Sequence, residues 1–149
     1  QNVRTNLEGI LKFLDEYNVS LSLETDLHPK QFRDFLLSFQ HPKIKANYDV
    51  GNSAGLGYNM KEEFENFGNL ITNIHIKDRE YSGNTVPLGT GNVDFPLFFK
   101  LLKQNNYSGD LIIQGARESG IDSGETAKKY LKFVKELVDK YLSNDSDNL

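Results

Sequence analysis

Apolar residues recur along this chain at two spacings, and stretches with the two spacings alternate. Apolar positions three or four residues apart predict amphipathic helices, and short aliphatic runs predict strands. The predicted strands are residues 19–24, 44–50, 71–77 and 110–115. The predicted helices are residues 6–17, a segment that opens at Pro29, and three segments that begin at the capping residues Asn59, Asp94 and Asp122. One helix followed by four strand–helix units predicts an α/β fold in which helices cover a parallel sheet.

Each predicted strand carries one polar residue near its C-terminal end, within an otherwise aliphatic stretch. These residues are Glu24, Asp49, His75 and Gln114. Strands of a helix-covered parallel sheet are normally almost continuous apolar runs, so four polar interruptions at one level need an explanation. Carboxylate, imidazole and amide groups are all ligands of divalent metals. The pattern therefore predicts that the four strands share one site.

The alternation of side chains along a strand supports this interpretation. On the third strand, Asn73, His75 and Lys77 share one face, and Ile74 and Ile76 take the other. The aliphatic faces can pack on helices, while the polar faces point into a common interior, where unpaired polar groups are costly. For any one of the four residues, a strand-end polar group that meets a loop is the simpler explanation. Four such residues on matching faces favour a site.

Composition narrows the chemistry of such a site. The chain has 149 residues, enough for one domain with its own core, and it has no cysteine, so a metal site must use oxygen and nitrogen ligands.

No apolar run approaches the roughly 20 residues that a membrane span needs. A net charge of −4 argues against a nucleic-acid partner. We expect one α/β domain over residues 1–142, a disordered acidic tail over residues 143–149, and a cytoplasmic location.

Five stretches resemble the C-terminal half of a xylose isomerase-like TIM barrel, in the sugar phosphate isomerase/epimerase family. They are Leu23-Glu24, Asp49-Val-Gly-Asn52, Asn73-Ile-His-Ile-Lys-Asp78, Pro87-Leu-Gly-Thr-Gly-Asn-Val-Asp-Phe95 and Tyr107-Ser-Gly-Asp-Leu-Ile-Ile-Gln114. The resemblance implies a (β/α) half-barrel, strands five to eight of eight, with its site on the C-terminal face. It also implies that one divalent metal ion (Mn, Mg, Co or Zn) is bound by Glu24, Asp49, His75 and Gln114. The implied substrate is a sugar or a sugar phosphate.

The chain departs from the family pattern at two positions. Gln114 stands where the common pattern has a second glutamate, and in epimerase members the two glutamates exchange a proton with the substrate from opposite sides. Glutamine can offer its amide oxygen but cannot titrate, so it cannot act as the second base of this exchange. A one-base isomerisation with Glu24 as general base remains open, as does loss of catalysis. Asn52 replaces a histidine of many members and is expected to bond a sugar hydroxyl.

Several other residues are candidates for binding substrate. Lys77 lies on the interior face beside His75, where it either stabilises an oxyanion or phosphate or forms a salt bridge with Asp49 or with a carboxylate on another strand. Arg117 follows the fourth strand, and it either binds a substrate phosphate or carboxylate or is a surface residue. Asp78 falls on the opposite face and is expected to cap or pair locally. The Gly89-Thr-Gly91 loop lacks the lysine of a phosphate loop, so we predict a tight turn.

Our first functional prediction is a divalent-metal-dependent isomerase or epimerase. One alternative is a catalytically silent sugar-binding relative that has lost the second base. Another is an apurinic endonuclease-like phosphodiesterase, which three histidines and the lack of a basic stripe disfavour. A TIM barrel takes about 250 residues, and four strands alone leave two open edges. We therefore expect a fragment that self-associates or needs a missing N-terminal half, and that is inactive in isolation.

Overall fold

The computed structural model describes residues 3–143. The strands are β1 (Leu21–Leu23), β2 (Ile44–Asp49), β3 (Ile71–Ile76), β4 (Asp78–Arg79), β5 (Thr85–Val86) and β6 (Leu111–Ile113). The α-helices are α1 (Val3–Glu8), α2 (Leu11–Glu16), α3 (Pro29–Leu37), α4 (Val50–Leu56), α5 (Met60–Phe67), α6 (Phe95–Gln104) and α7 (Ser123–Tyr141). A single 3₁₀ turn, Gly68–Leu70, precedes β3.

Four of these strands form one parallel sheet whose spatial order, β1-β2-β3-β6, follows their order in the chain. A doubly wound sheet reverses its strand order at a switch point, whereas a barrel adds each new strand on the same side. The order therefore confirms the predicted parallel half-barrel. β4 and β5 form a separate antiparallel pair just beyond the C-terminal end of β3.

The hydrophobic core lies between the sheet and the helices outside it. Ala46, Ile74 and Ile76 are fully buried on the outer faces of β2 and β3. Aromatic rings fill the space behind them in edge-to-face contacts, with centroids 5.1 Å apart for Phe32–Phe67 and 5.5 Å for Tyr48–Phe64. The aliphatic residues thus take the helix side, as predicted. Asp49, on the other face of β2, is one of the few buried charged residues.

Some element boundaries differ from the predicted ones. The predicted helix over residues 6–17 is two short helices, because Gly9 interrupts it between α1 and α2. The first strand is limited to Leu21–Leu23, and the second ends at Asp49 because α4 begins at Val50. Helix α4 was not predicted, since the two glycines and the asparagine in its sequence lower the helix propensity. The loop over residues 82–92 contains the short strand β5.

The ends of the chain fall partly outside the described residues. The predicted domain limits and acidic tail stay predictions, because residues 1–2 and 144–149 are not described. Within the described part, none of the helices combines the length and the apolar composition that crossing a bilayer requires.

Candidate metal centre

Three of the four residues predicted as metal ligands converge at the C-terminal edge of the sheet. Glu24, Asp49 and His75 each offer one ligand atom, and the three atoms lie within 4.8 Å of one another. His75 Nδ1 is 3.3 Å from Glu24 Oε2 and 3.9 Å from Asp49 Oδ2. Ligands about 2.1 Å from a tetrahedral ion lie about 3.4 Å apart, so this donor set fits a divalent cation.

The strands explain why these side chains meet. Asp49 and His75 are register partners in the adjacent strands β2 and β3, and Glu24 directly follows β1 on the other side of β2. The three residues differ in exposure: the Asp49 side chain is buried, that of His75 is 19% exposed and that of Glu24 is 37% exposed. Glu24 is therefore the member of the group that a ligand from solvent can reach most easily.

A chain of amide side chains holds the Glu24 carboxylate. Asn47 Nδ2 donates to Glu24 Oε2 at 2.6 Å, and Asn73 Nδ2 donates to Asn47 Oδ1 at 2.8 Å. From the other side, Asn52 Nδ2 donates to Glu24 Oε1 at 2.8 Å. Both carboxylate oxygens thus accept a bond from a neighbouring element, which fixes their orientation.

Asp49 has a second role at the start of α4. Its Oδ1 atom accepts a hydrogen bond of 2.8 Å from the backbone N–H of Asn52, so it caps the helix. Its Oδ2 atom remains turned towards His75 and towards Lys77, whose Nζ atom is 3.5 Å away. The cap explains how α4 forms despite its sequence, and it positions Asn52 beside Glu24.

Two cationic side chains lie beside the acidic residues. Lys77 forms the ion pair with Asp49 that was one of its two predicted roles, and Lys77 Nζ also donates to Asn52 Oδ1 at 3.1 Å. Arg79 Nη1 donates to the same Asn52 oxygen at 3.1 Å, and its Nη2 donates to the carbonyl of Gly83 at 2.8 Å. Arg79 was not among the predicted site residues.

Gln114 and Arg117 do not join these contacts. The backbone N–H of Gln114 donates to Ile76 O at 2.8 Å, which continues the β3–β6 ladder, and its side chain is exposed. Strand alternation places Gln114 on the face of Ile112, the register partner of His75. Arg117 lines a different cavity of about 340 Å³, between the end of β6 and the start of α7. The roles predicted for these two residues therefore stay predictions.

A buried glutamate lies behind the site. Glu63 of α5 accepts hydrogen bonds from Tyr48 Oη at 2.7 Å and from Ser53 Oγ, and it is 3% exposed. Burial raises the pKa of Glu63, while the two hydrogen bonds oppose that shift. Burial also raises the pKa of Tyr48 well above its ordinary range, and the neighbouring Glu63 adds to this. A narrow cavity of about 30 Å³ is lined by residues of this group and by Glu24 and Asp49.

Asp78 organises the loop that follows the site. It is fully buried, and its carboxylate accepts backbone hydrogen bonds from Gly89 and Gly91 at 2.9 Å and from Val93 at 3.2 Å. This arrangement confirms the local pairing predicted for Asp78. It also accounts for the turn of the glycine-rich segment, which leads into α6 at its cap, Asp94.

Three residues that the structure brings to the site were not predicted as site residues. Asn47 lies two residues before Asp49 and therefore on the same inner face of β2, and this alternation indicates its role. Alternation along an extended chain places Arg79 on the same face as His75 and Lys77. The predicted strand ended before Arg79, whereas in the structure β4 continues the extended chain through it. Nothing in the sequence distinguishes Glu63 from the other glutamates of α5.

The sequence is similar to curated proteins about twice its length. It is 24% identical over 146 residues to an uncharacterized protein of Methanocaldococcus jannaschii, a match covering 90% of this chain and 50% of that protein. It is 29% identical over 103 residues to the L-ribulose-5-phosphate 3-epimerase UlaE of Escherichia coli O1:K1, a match covering 68% of this chain and 36% of that protein. The chain thus spans half or less of these relatives.

Solved structures share the fold. A xylose isomerase domain protein from Planctomyces limnophilus superposes with a TM-score of 0.80 at 19% identity, over 91% of this chain and 52% of that chain. The IOLI protein, solved with a zinc atom, superposes with a TM-score of 0.78 at 20% identity, over 93% of this chain and 55% of that chain. The profile of one protein family matches residues 1–137, under the description "Xylose isomerase-like TIM barrel". The chain therefore belongs to the xylose isomerase-like TIM barrel family.

Proposed function

We propose that this chain forms the metal-binding half of a divalent-metal-dependent isomerase or epimerase that acts on a sugar or sugar phosphate. The observation that carries the proposal is the convergence of Glu24, Asp49 and His75 at the C-terminal edge of the sheet. TIM-barrel enzymes have their active sites at this edge. The names of relatives support the reaction class, since UlaE is an L-ribulose-5-phosphate 3-epimerase and another solved relative is a D-allulose 3-epimerase in complex with D-allulose.

In this proposal, Glu24, Asp49 and His75 hold the ion, and Gln114 contributes its amide oxygen to the ion or to the substrate. The solved IOLI protein with zinc supports a divalent ion. When bound, a divalent ion would supply Lewis acidity to a carbonyl or hydroxyl of the substrate. The proton that a base can remove is the one on the carbon next to a carbonyl.

Glu24 is the residue proposed to take that proton. It is the most exposed member of the group, and hydrogen bonds from Asn47 and Asn52 hold both of its oxygens. Positioning a base in this way lowers the entropy that the reaction must lose. Lys77, which lies between Asp49 and Asn52, is proposed to stabilise the oxyanion that develops on the substrate. Because Gln114 cannot titrate, Glu24 would remove the proton and return it on the same face to the neighbouring carbon of the enediolate, which is a one-base isomerisation. An epimerisation delivers the proton to the opposite face and would need a second acid there.

Metal binding tests this proposal directly. Titration of Mn²⁺ followed by calorimetry is expected to give one site in the wild-type chain. Glu24→Gln and His75→Ala each remove a ligand, and we expect a loss of at least tenfold in affinity, equivalent to about 1.4 kcal/mol. His41→Ala is the matched control, because His41 pairs with Asp15 away from the site. Equal Mn²⁺ affinity in all four proteins would contradict the proposal.

A second candidate function is a sugar-binding protein without catalysis. The exposed amide of Gln114, in place of a second carboxylate, is the observation that favours it. In the full-length parent protein, the two candidates predict different outcomes in deuterated water with L-ribulose 5-phosphate. Deuterium incorporation by the unchanged protein supports the one-base enzyme. Deuterium incorporation only after Gln114→Glu supports the sugar-binding protein without catalysis.

The remaining expectations about the whole protein are also proposals. We propose a small-molecule sugar ligand with no nucleic-acid partner, a cytoplasmic location, and completion of the barrel by self-association or by an N-terminal half. The lengths of the relatives support the last point, since the match covers 50% of the M. jannaschii protein. The substrate-binding role of Arg117 belongs to the same proposal.

A further inference from the structure

The amide of Asn52 joins the acidic and the basic groups of the site. Its nitrogen donates to Glu24, and its oxygen accepts from both Lys77 Nζ and Arg79 Nη1 at 3.1 Å. Two cations thus meet at one neutral oxygen. Such an oxygen compensates two positive charges much less well than an anion would.

Arg79 lacks an anionic partner within the described part of the chain. Over residues 3–143, no carboxylate oxygen lies within 4.0 Å of its guanidinium, whereas Lys77 has Asp49. Arg79 is half-buried, and its two bonds go to Asn52 Oδ1 and to the carbonyl of Gly83. A half-buried charge that is paired only with neutral groups is costly, so the position favours an anionic ligand.

We propose that Arg79 binds the phosphate of a phosphorylated sugar, with Asn52 as the group that this phosphate meets or displaces. This inference rests on the proposed isomerase or epimerase function, and it narrows the substrate class to sugar phosphates. The guanidinium presents a planar set of donors that suits phosphate oxygens. The hydrogen bond from Arg79 Nη2 to the Gly83 carbonyl restrains the side chain, so the guanidinium is already positioned before a ligand binds.

The test is a titration of the metal-free chain with inorganic phosphate at constant ionic strength, followed by calorimetry. We expect saturable binding to the wild type, an affinity about tenfold lower in Arg79→Gln, and a smaller loss in Arg79→Lys, which keeps the charge but not the planar donors. Arg33→Gln is the matched control. Arg33 also bonds an asparagine oxygen, that of Asn66, but has its own carboxylate partner in Asp34. Its loss should leave phosphate affinity unchanged.

A second arm links the anion site to a sugar. Ribulose 5-phosphate should bind more tightly than ribulose to the wild type, and this preference should disappear in Arg79→Gln. The inference is overturned by equal phosphate affinity in wild type and Arg79→Gln, by an absence of saturable binding, or by equal binding of the two sugars. Because the chain is free of metal, these outcomes are independent of the Mn²⁺ titration. A failure of the Mn²⁺ titration to detect the metal site would overturn the proposed function, but it would not contradict phosphate binding at Arg79.

Discussion

At the scale of single residues, Glu63 shows how a charged side chain can be held inside a protein. It lies among aromatic side chains, and hydroxyl groups of Tyr48 and Ser53 donate to its carboxylate. A buried carboxylate is tolerated when hydrogen bonds compensate for lost hydration, and it binds its proton more tightly than in water. Glu63 thereby connects α5 both to the strand that carries Asp49 and to the helix that carries Asn52.

Glu63 should make the stability of the fold depend on pH. Burial raises the pKa of Glu63 above its ordinary value of 4.5, so the folded state holds the proton to higher pH than the unfolded state. The contribution of Glu63 to stability is therefore greatest at low pH, and it declines as pH rises from 4.5 through the raised pKa. Glu63→Gln cannot titrate, so its unfolding free energy relative to wild type should increase over this range. Urea denaturation at several pH values measures the difference. Glu65→Gln, at an exposed position, should show no such trend.

Asp78 should contribute strongly to stability. Three backbone N–H groups donate to its fully buried carboxylate. In Asp78→Asn, an amide nitrogen would face some of these donors, and we expect the free energy of unfolding to fall by about 1–3 kcal/mol. Chemical denaturation measures this loss, and Asp139→Asn on the exposed side of α7 is the control. A loss no greater than that of the control would mean that the loop does not depend on Asp78.

At the scale of elements, α4 decides how the site is arranged, and it is the helix that propensity did not predict. The cap from Asp49 starts it, and Gly57 ends it with a φ of 74°, in the left-handed region. A backbone bond from Ser82 N to Gly55 O, 2.8 Å long, ties the helix to the loop after β4. Tertiary contacts thus stabilise a short helix that would be marginal alone.

Gly57 should be intolerant of a side chain for two separable reasons. A Cβ atom there would be 2.6 Å from the ring of Tyr81, and the left-handed backbone costs about 1–2 kcal/mol for a residue other than glycine. Gly120 has a φ of 78°, and a Cβ atom there would have no neighbour within 4 Å, so Gly120→Ala isolates the backbone cost. We expect Gly57→Ala to lower the unfolding free energy more than Gly120→Ala does. Equal losses would show that Tyr81 moves aside freely.

At the scale of the whole molecule, the sheet is open at both sides. Among the described residues, β1 pairs only with β2, and β6 pairs only with β3 in the four-stranded sheet. Unpaired strand edges are templates for further strands. Ile112 of β6, the register partner of His75, is 44% exposed on the inner side of the sheet. A closed barrel would cover this face.

The open sheet predicts that the isolated chain self-associates. Sedimentation velocity should show a larger average species as concentration rises. Ile112→Lys puts a charge on the inner face and should shift the chain towards the monomer. Leu131→Lys, on the outward helix α7 and of similar exposure at 46%, should not. The same response in both variants would argue against association through the inner face. Circular dichroism of each variant checks that the fold is retained.

The amino-acid sequence by itself determined the order of helices and strands and the face on which Glu24, Asp49 and His75 lie. These properties depend on local periodicity, which a chain carries before it folds. The family match to residues 1–137 confirms the fold that this pattern predicted. Helix α4 was not predicted, because the Asp49 cap and long-range contacts stabilise it and its intrinsic helix propensity is low.

Only the tertiary structure decided which polar groups compensate one another. Asn52 meets Glu24, Lys77 and Arg79, each 25 or more residues away in sequence, and Glu63 meets Tyr48 across 15 residues. No local pattern distinguishes these side chains from other asparagines, arginines and glutamates. Whether a polar group is costly or stabilised depends on the neighbours that replace water around it, and packing alone supplies those neighbours.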